Sequence, residues 1–441
     1  MAIELSDITF TDQDDIVPLS GVNQIFNRYG RSANTLLGND TITGIGSLNY
    51  NDPTSNYGIF NSGTLDMAEG NDVITGTTYG TGIYNSGTLN LAEGNDVISG
   101  TATNSGIINS GTLNTAEGDD IITTNGQRAR GFNNQGTLNT GEGNDIIIGE
   151  GYYSGISSGG NFDTGDGNDR IRGIGESEYT GGYGILNSSL NFNTGDGDDT
   201  IDGIGCYGIY NSGLINTGNG EDIIIIKGKE EVGSALYTTS TSTINTGGND
   251  DIIINSGGID NYGNINTGDG DDSLTASIIA EISYSNRAIE NFNAIEMGEG
   301  NDIITSTDII YNQGVINTGN GNDSIISNTG FESGSNSMGG VFLGNGEDYI
   351  KGFGSGNFYG ESGNDILELT PGTYTVGISG TMVNFTKDSA TMITSEFEQL
   401  RAGSTTYDFT SLTAGQIIVS PDEGVAVISH RRGYTTSPPS I

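Results

Sequence analysis

The chain has 441 residues, of which 74 are glycine, 6 are proline and none is tryptophan. Glycine at more than twice its ordinary ~7% share, without matching proline, excludes collagen and proline-rich linkers. Fourteen Lys and Arg against 56 Asp and Glu leave a net charge of −42, which repels nucleic acid phosphates and anionic lipid and makes a multivalent cation the natural partner.

A single cysteine, Cys206, and a single histidine, His430, exclude an intramolecular disulfide framework and a Cys- or His-based zinc site. The N-terminus shows no basic start with an apolar run behind it, so no signal peptide is expected, and no apolar stretch has the ~18 residues of a membrane span.

Residues 1–35 lack a repeat and contain alternating runs, IELSDITF and GVNQIF, which fit an N-terminal cap over an open edge. From residue 36 to 368 the chain is self-similar. MAEGNDVITG begins at Met67, LAEGNDVISG at Leu91, TAEGDDIITT at Thr115, TGEGNDIIIG at Thr140, TGDGNDRIRG at Thr164 and TGDGDDTIDG at Thr194. Each turn ends on an Asp, foreshadowed by a shortened copy at Asp40, and the first full turns follow at intervals of 24, 24, 25 and 24 residues. A second motif lies between them, GIFNSGTLD from Gly58, GIYNSGTLN from Gly82 and GIINSGTLN from Gly106.

The Asn of that second motif precedes the next turn Asp by 11 residues at Asn61, Asn85, Asn109, Asn134, Asn211, Asn261, Asn291 and Asn312, and by 12 at Asn187. From Asp onward to the next Asn the distance runs from 10 to 19 residues. Length variation confined to one corner is the behaviour of a stacked solenoid, whose rungs stay in register while one loop lengthens. Short β-branched runs such as DVITG and DIIIG, broken on both sides by Gly and Asn, read as strands. The expected fold is therefore all-β, a parallel β-helix or β-roll-like solenoid of about thirteen rungs and roughly 60 Å, with an N-terminal and a C-terminal cap. The repeated Asn should form a structural ladder of amides, with Ser158, Ser240 and Ser337 at the same offset from their turns filling its gaps.

The glycines of the turn allow positive φ and direct carbonyls inward, while the Asp adds a charged oxygen. Stacked carboxylates ~4.8 Å apart repel by about 1 kcal/mol even in water, so a ladder of them calls for a cation. Glu69, Glu93, Glu117, Glu142, Asp166, Asp196, Asp269 and Glu299 make the same edge more anionic.

Gly141, Gly143, Asp145 and Ile147 carry a resemblance to the RTX, or hemolysin-type, calcium-binding repeat GGxGxDxUx, with U apolar. The first glycine is replaced, by Thr140, Thr164, Thr194, Ala68, Ala92, Ala116 and Leu343, and there is one turn per longer rung. The resemblance implies multiple calcium ions as cofactors, held by Gly70 and Asp72, Gly94 and Asp96, Gly118 and Asp120, Gly141, Gly143 and Asp145, and Gly165, Gly167 and Asp169. It carries on through Gly195, Gly197 and Asp199, Gly218, Gly220 and Asp222, Asp251, Gly268, Gly270 and Asp272, and Gly298, Gly300 and Asp302. The last turns give Gly319, Gly321 and Asp323, Gly344, Gly346 and Asp348, and Gly363 and Asp365.

Parallel β-helices also carry enzymes acting on acidic polysaccharides, which need bases and positive charge. Arg170 and Arg172 are the candidates, but Asp202 holds the position of Arg172 one rung later and a cross-rung ion pair accounts for it. Arg128, Arg130, Lys227 and Lys229 fall in variable corners, as do Tyr79, Tyr152, Tyr153, Tyr179, Tyr183 and Tyr207, where rings either bind sugar or cover the core. Cys206 reads as an inert small residue. A threonine ice-binding face needs a regular Thr ladder on a flat strand, whereas these threonines fall mostly beside the turn.

Residues 369–428 read as antiparallel strands forming a second cap, with turns at Pro371-Gly372 and Lys387-Asp388. This part is similar to the segments that follow calcium repeats in RTX-type proteins, which implies export by a type I system through an uncleaved C-terminal signal. Residues 429–441 are expected to be disordered. The expectation is a secreted, extracellular calcium-binding solenoid with a structural, surface-layer or adhesive role, not an enzyme, with cell-surface polysaccharide or other copies of itself as partners. The alternative is a β-helix lyase or epimerase.

Overall fold

A computed structural model describes residues 2–18, 23–47, 56–177, 181–229, 234–279, 286–334, 339–419 and 427–429. After each turn Asp the β-branched residues hold the backbone extended, and one full coil shows how the chain is used. Val73–Thr78 forms the first face of the coil, Thr81–Asn85 the second and Thr88–Asn90 the third. The turn at 91–96 then returns the chain to Val97–Ala102, which lies parallel to Val73–Thr78 with Val97 beside Val73 and Ile98 beside Ile74. All three faces are thus parallel sheets running along the axis. The chain is a three-faced parallel β-solenoid.

The core is a column in which each face contributes one inward residue per coil. Ile74, Ile98 and Ile122 come from the first face, Ile83, Ile107 and Phe132 from the second, and Leu65, Leu89 and Leu113 from the third, all buried. On many coils the first and second faces close together beside the Gly76 position: a Cβ on Gly76 would lie 2.3 Å from the Gly82 carbonyl oxygen, although on other coils the faces part enough to bury Thr124, Ile226 or Asn255 at the same register position. That clash explains the repeated glycine at the end of the VITG-type strands. Larger turns and insertions fall beyond it, at the corner whose length varies.

Stacking begins before the recognisable repeat. Ala2–Glu4 pairs with Gln24–Asn27, and Ser32–Asn34 with Thr64–Asp66, both parallel, while Leu5 is buried at the open end. At the other end Gln399–Ala402 adds a last parallel strand to the first face. Gly372–Ser379, Met382–Lys387 and Ala390–Ser395 form an antiparallel sheet over the final coil, joined to it by the parallel pairing of Ala390–Ser395 with Gly356–Tyr359. Among the described residues the only helical pieces are two single 3-10 turns, and no helix is long and apolar enough to cross a membrane.

Candidate metal centre

The turn aspartates form a second interior column. Each offers one carboxylate oxygen, Oδ1, to the backbone N–H of the turn Asp one coil earlier. Asp72 N–H donates to Asp96 (2.8 Å), Asp96 to Asp120 (2.7 Å), Asp120 to Asp145 (2.8 Å) and Asp145 to Asp169 (2.8 Å). The pattern continues to Asp348 N–H on Asp365. The side chains are not on a charged edge, as the sequence suggested, but inside: Asp72 is 0% exposed and Asp145 1%. The remaining oxygen, Oδ2, is buried and has no hydrogen-bond partner at Asp40, Asp72, Asp96, Asp120, Asp145, Asp169, Asp199, Asp222, Asp251, Asp272, Asp302, Asp323, Asp348 and Asp365. Unsatisfied buried carboxylate oxygens are individually costly; a whole column of them is a donor set without its acceptor.

Burial is the dominant cause of the resulting pKa shifts. It raises Asp145 and Asp222 to about 6, Asp72, Asp120 and Asp199 to about 7, Asp169 to about 8 and Asp96 to about 9. The neighbouring Thr hydroxyl, Thr140 at Asp145 and Thr164 at Asp169, and then the backbone N–H from the preceding coil oppose the shift. Repulsion between neighbouring carboxylates, the effect emphasised by the sequence, ranks below desolvation at each of these groups.

The turn itself supplies carbonyls. Gly141 and Gly143 hold φ of 101° and 145°, and a Cβ on Gly165 would lie 1.8 Å from the Gly141 oxygen, so turn carbonyls point along the axis at the next coil. Here the alignment of the repeat is corrected. Ala68, Ala92 and Ala116 have φ of 59°, 64° and 68° and stand where Gly141 stands, not in place of the first glycine. The residues that replace that first glycine are Met67, Leu91, Thr115, Thr140 and their successors, and these four are buried.

The buried threonines at that position form a further ladder that sequence reasoning missed. Thr140 Oγ1 donates to Thr164 O (3.0 Å), Thr164 to Thr194 O (3.2 Å) and Thr194 to Thr217 O (3.1 Å). The hydroxyl lies close to both that carbonyl and the neighbouring Asp, lowering the carboxyl's pKa, but Oδ2 makes no hydrogen bond of good geometry. The column also has ends that were not anticipated: Asp15 N–H donates to Asp40 Oδ1 (2.7 Å), and Asp365 N–H to Glu398 Oε2 (2.8 Å). The DQDDIV segment around Asp15 is a degenerate turn that could have signalled the first; nothing local marks Glu398.

Outside the Asp column an exposed row of Asn and Asp hydrogen bonds in the opposite sense, Asn95 N–H to Asn71 Oδ1 (2.8 Å) and Asn144 N–H to Asp119 Oδ1 (2.8 Å). Glu69, Glu93, Glu117 and Glu142 lie at the surface beside it. Among the described residues no three His, Cys, Asp or Glu side chains converge as a metal cluster. An ion at this corner would therefore rest on turn carbonyls and Asp Oδ2 together, oxygen donors suited to a hard cation.

The Asn ladder closes as expected where Asn is present: Asn61 Nδ2 donates to Asn85 Oδ1 and Asn85 to Asn109, both 2.8 Å. A second amide hydrogen reaches the third face, Asn61 Nδ2 to Thr88 O (2.8 Å). Ser158 holds its rung between Asn134 and Asn187. Ser240 does not: Thr238 pairs with Asn211 and Asn261, because two extra residues sit between Thr238 and Thr243, where the Asn187 coil has one and coils such as those of Asn61 and Asn211 have none.

Of the basic residues, Arg172 meets Asp202 (3.4 Å), Arg128 donates to the Tyr79 hydroxyl (3.2 Å) and Lys229 to Gly175 O (2.8 Å), while Arg130 and Lys227 are exposed. Cys206 is buried with Sγ 3.0 Å from Ser177 O. Tyr183 and Tyr207 stack at 5.4 Å between ring centres, and Tyr152 packs edge-on against Tyr153. Tyr179, Ser337, His430 and the rest of the tail to residue 441 lie outside the described residues.

The class defined by this geometry is a three-faced β-solenoid with a buried acidic corner. No protein-family model matches the chain and no curated protein matches it in sequence. Among solved structures, a hyperactive, Ca2+-dependent, β-helical antifreeze protein from an Antarctic bacterium aligns with 81% of this chain and 83% of its own, at 17% identity and a TM-score of 0.36. A likeness at that level carries no inference from that protein to this one.

Proposed function

We propose that this chain is a calcium-binding β-solenoid, secreted, and structural or adhesive in role. The observation that carries the calcium reading is the column of partnerless, buried Oδ2 atoms flanked by turn carbonyls aimed along the axis. A divalent ion between successive turns would neutralise two carboxylates whose ionisation burial otherwise penalises, and its binding energy would be folding energy. Within each turn the ligands are the Asp of the column and the carbonyls of the GxG segment, as at Gly141, Gly143 and Asp145. Calcium rather than magnesium suits carbonyl-rich, loosely octahedral or larger donor sets. The length and regularity of the coil support a spacer or surface role, and the net charge of −42 suits a calcium-rich exterior. Metal analysis of the purified protein, with far-ultraviolet circular dichroism before and after chelation, tests this reading. Bound calcium and a lower melting temperature with partial loss of β signal on chelation are expected; a metal-free protein with an unchanged spectrum and melt overturns it.

A further inference from the structure

The first face of the coil carries a surface that the described residues leave uncovered. On some coils its strands are apolar on both sides, while other coils, such as Val73–Thr78 and Ser273–Ser277, turn Thr and Ser outward. In Ile223–Gly228 the inward Ile224 and Ile226 are buried, while Ile223 and Ile225 point outward. Ile252 and Ile254 on the next coil are 37% and 42% exposed. A parallel strand with continuous β-branched residues is the pattern of a sheet covered on both faces, and the outward Ile of the five coils from Ile146–Gly151 to Ile252–Ser256 form a patch of the kind that marks an interaction surface.

The strip is also nearly free of charge, in a chain of net charge −42. From Thr41–Ile45 to Ser324–Ser327 the strands of this face carry five charged residues: Glu150, Arg170, Arg172, Asp202 and Lys227. All fall on four successive coils, and their register is ordered. One outward column reads Glu150, Ile174, Ile204, Lys227, and the next reads Ile148, Arg172, Asp202, Ile225. About a line between the Arg170–Gly175 and Thr200–Gly205 strands, every position in these two columns is matched by its opposite: acid by base, and Ile by Ile.

We propose that this face is a dimer interface, in which two copies pack antiparallel about a two-fold axis lying along the strands between those two coils. Such an axis keeps each column and reverses the order of coils. It sets Glu150 against the partner's Lys227, Arg172 against the partner's Asp202, and Ile146 and Ile148 against the partner's Ile223 and Ile225. Within one chain Arg172 Nε lies 3.4 Å from Asp202 Oδ2, and the Arg172 side chain stays 35% exposed, which leaves its guanidinium open to the second copy. Beyond the overlap, Lys351, Glu368 and Arg401 neutralise one another, with contacts of 3.0 and 3.3 Å. At ~4.8 Å per coil and about 13 Å across, the strip covers roughly 700 Å² per copy, close to the ~800 Å² of stable interfaces. Any other partner would need the same length, straightness and reversed charge order.

Sedimentation equilibrium in calcium tests the proposal, with circular dichroism confirming that each variant folds. The parent should be a dimer. Glu150→Lys or Lys227→Glu alone should weaken it about 100-fold, since the axis doubles each like-charge clash, and the double variant should recover to within about ten-fold of the parent. A second readout fixes the orientation: Thr75→Cys combined with Thr305→Cys, which the axis brings together, should give a covalent dimer under oxidation, and Thr75→Cys alone should not. A monomeric parent, single variants with unchanged dimerisation, a double variant that stays weak, or absence of the cross-link would each overturn it.

Discussion

Two columns of polar side chains run through this molecule at different corners, and they differ in whether they are complete. In the Asn column each amide followed by another Asn, such as Asn85, donates to that amide and to a carbonyl of the third face, so the column satisfies itself except where Ser158 and Thr238 interrupt it. In the Asp column each carboxylate accepts one backbone N–H and leaves its second oxygen buried with nothing to bind. The same register and spacing produce both. The difference shows that stacking supplies a neutral column with its partners and a charged column with only half, so that one corner stands alone and the other, on the calcium reading proposed above, is completed by a cation from outside.

The largest expected effect follows from opposite responses of the two columns. Asp145→Ala should abolish more than one ion's binding, because neighbouring turns share a site, and should destabilise the protein far more in calcium than in chelator. Asn109→Ala should cost the same in both, about 1–3 kcal/mol for lost buried hydrogen bonds. Calorimetric titration and denaturant melts of the two variants check this; equal calcium stoichiometry for Asp145→Ala and the parent would remove that Asp from the ligands.

A pH series in chelator sharpens the same comparison. For carboxyls raised from 3.8 to values between about 6 and about 9, the folded state prefers the protonated form. Their stabilising contribution is then full below the unfolded value and lost as pH rises through the folded values. The metal-free chain should therefore melt at progressively lower temperature from pH 5 to pH 9. Calcium should oppose that fall, since it binds the ionised form. A melting temperature in chelator that rises across this range would contradict the burial of the Asp column.

Much of this was legible in the sequence, and the exceptions have physical reasons. The constant interval from Asn to Asp fixed both columns, because residues stacked in register cannot change spacing. The interior placement of Asp72 and its successors was not legible, since an Asp in a Gly-rich turn usually faces water. Counting back from Asp251 reached Ser240, and only the pairing of Thr238 with Asn211 revealed an insertion inside the supposedly constant segment. Alignment by residue type misplaced Ala68, whose φ of 59° places it with Gly141. Glu398 was invisible because it reaches the last turn from outside the repeat.

The smallest expected effect concerns the gap in the complete column. Ser158 is buried and in register with Asn134 and Asn187, but its hydroxyl turns to Gly160 O at 3.3 Å and passes nothing along the ladder. Asn134 Nδ2 consequently bonds only to Asn161 O. In Ser158→Asn the new amide would accept from Asn134 and donate to Asn187, whose oxygen otherwise takes only the Ser189 N–H. Two added buried hydrogen bonds, less the cost of ordering and fitting a larger side chain, should stabilise by about 1 kcal/mol. The urea midpoint should rise with no change in slope, equally in calcium and in chelator. A rise confined to calcium would mean that the Asn column, like the Asp column, depends on the ions, and the division between the two corners would not hold.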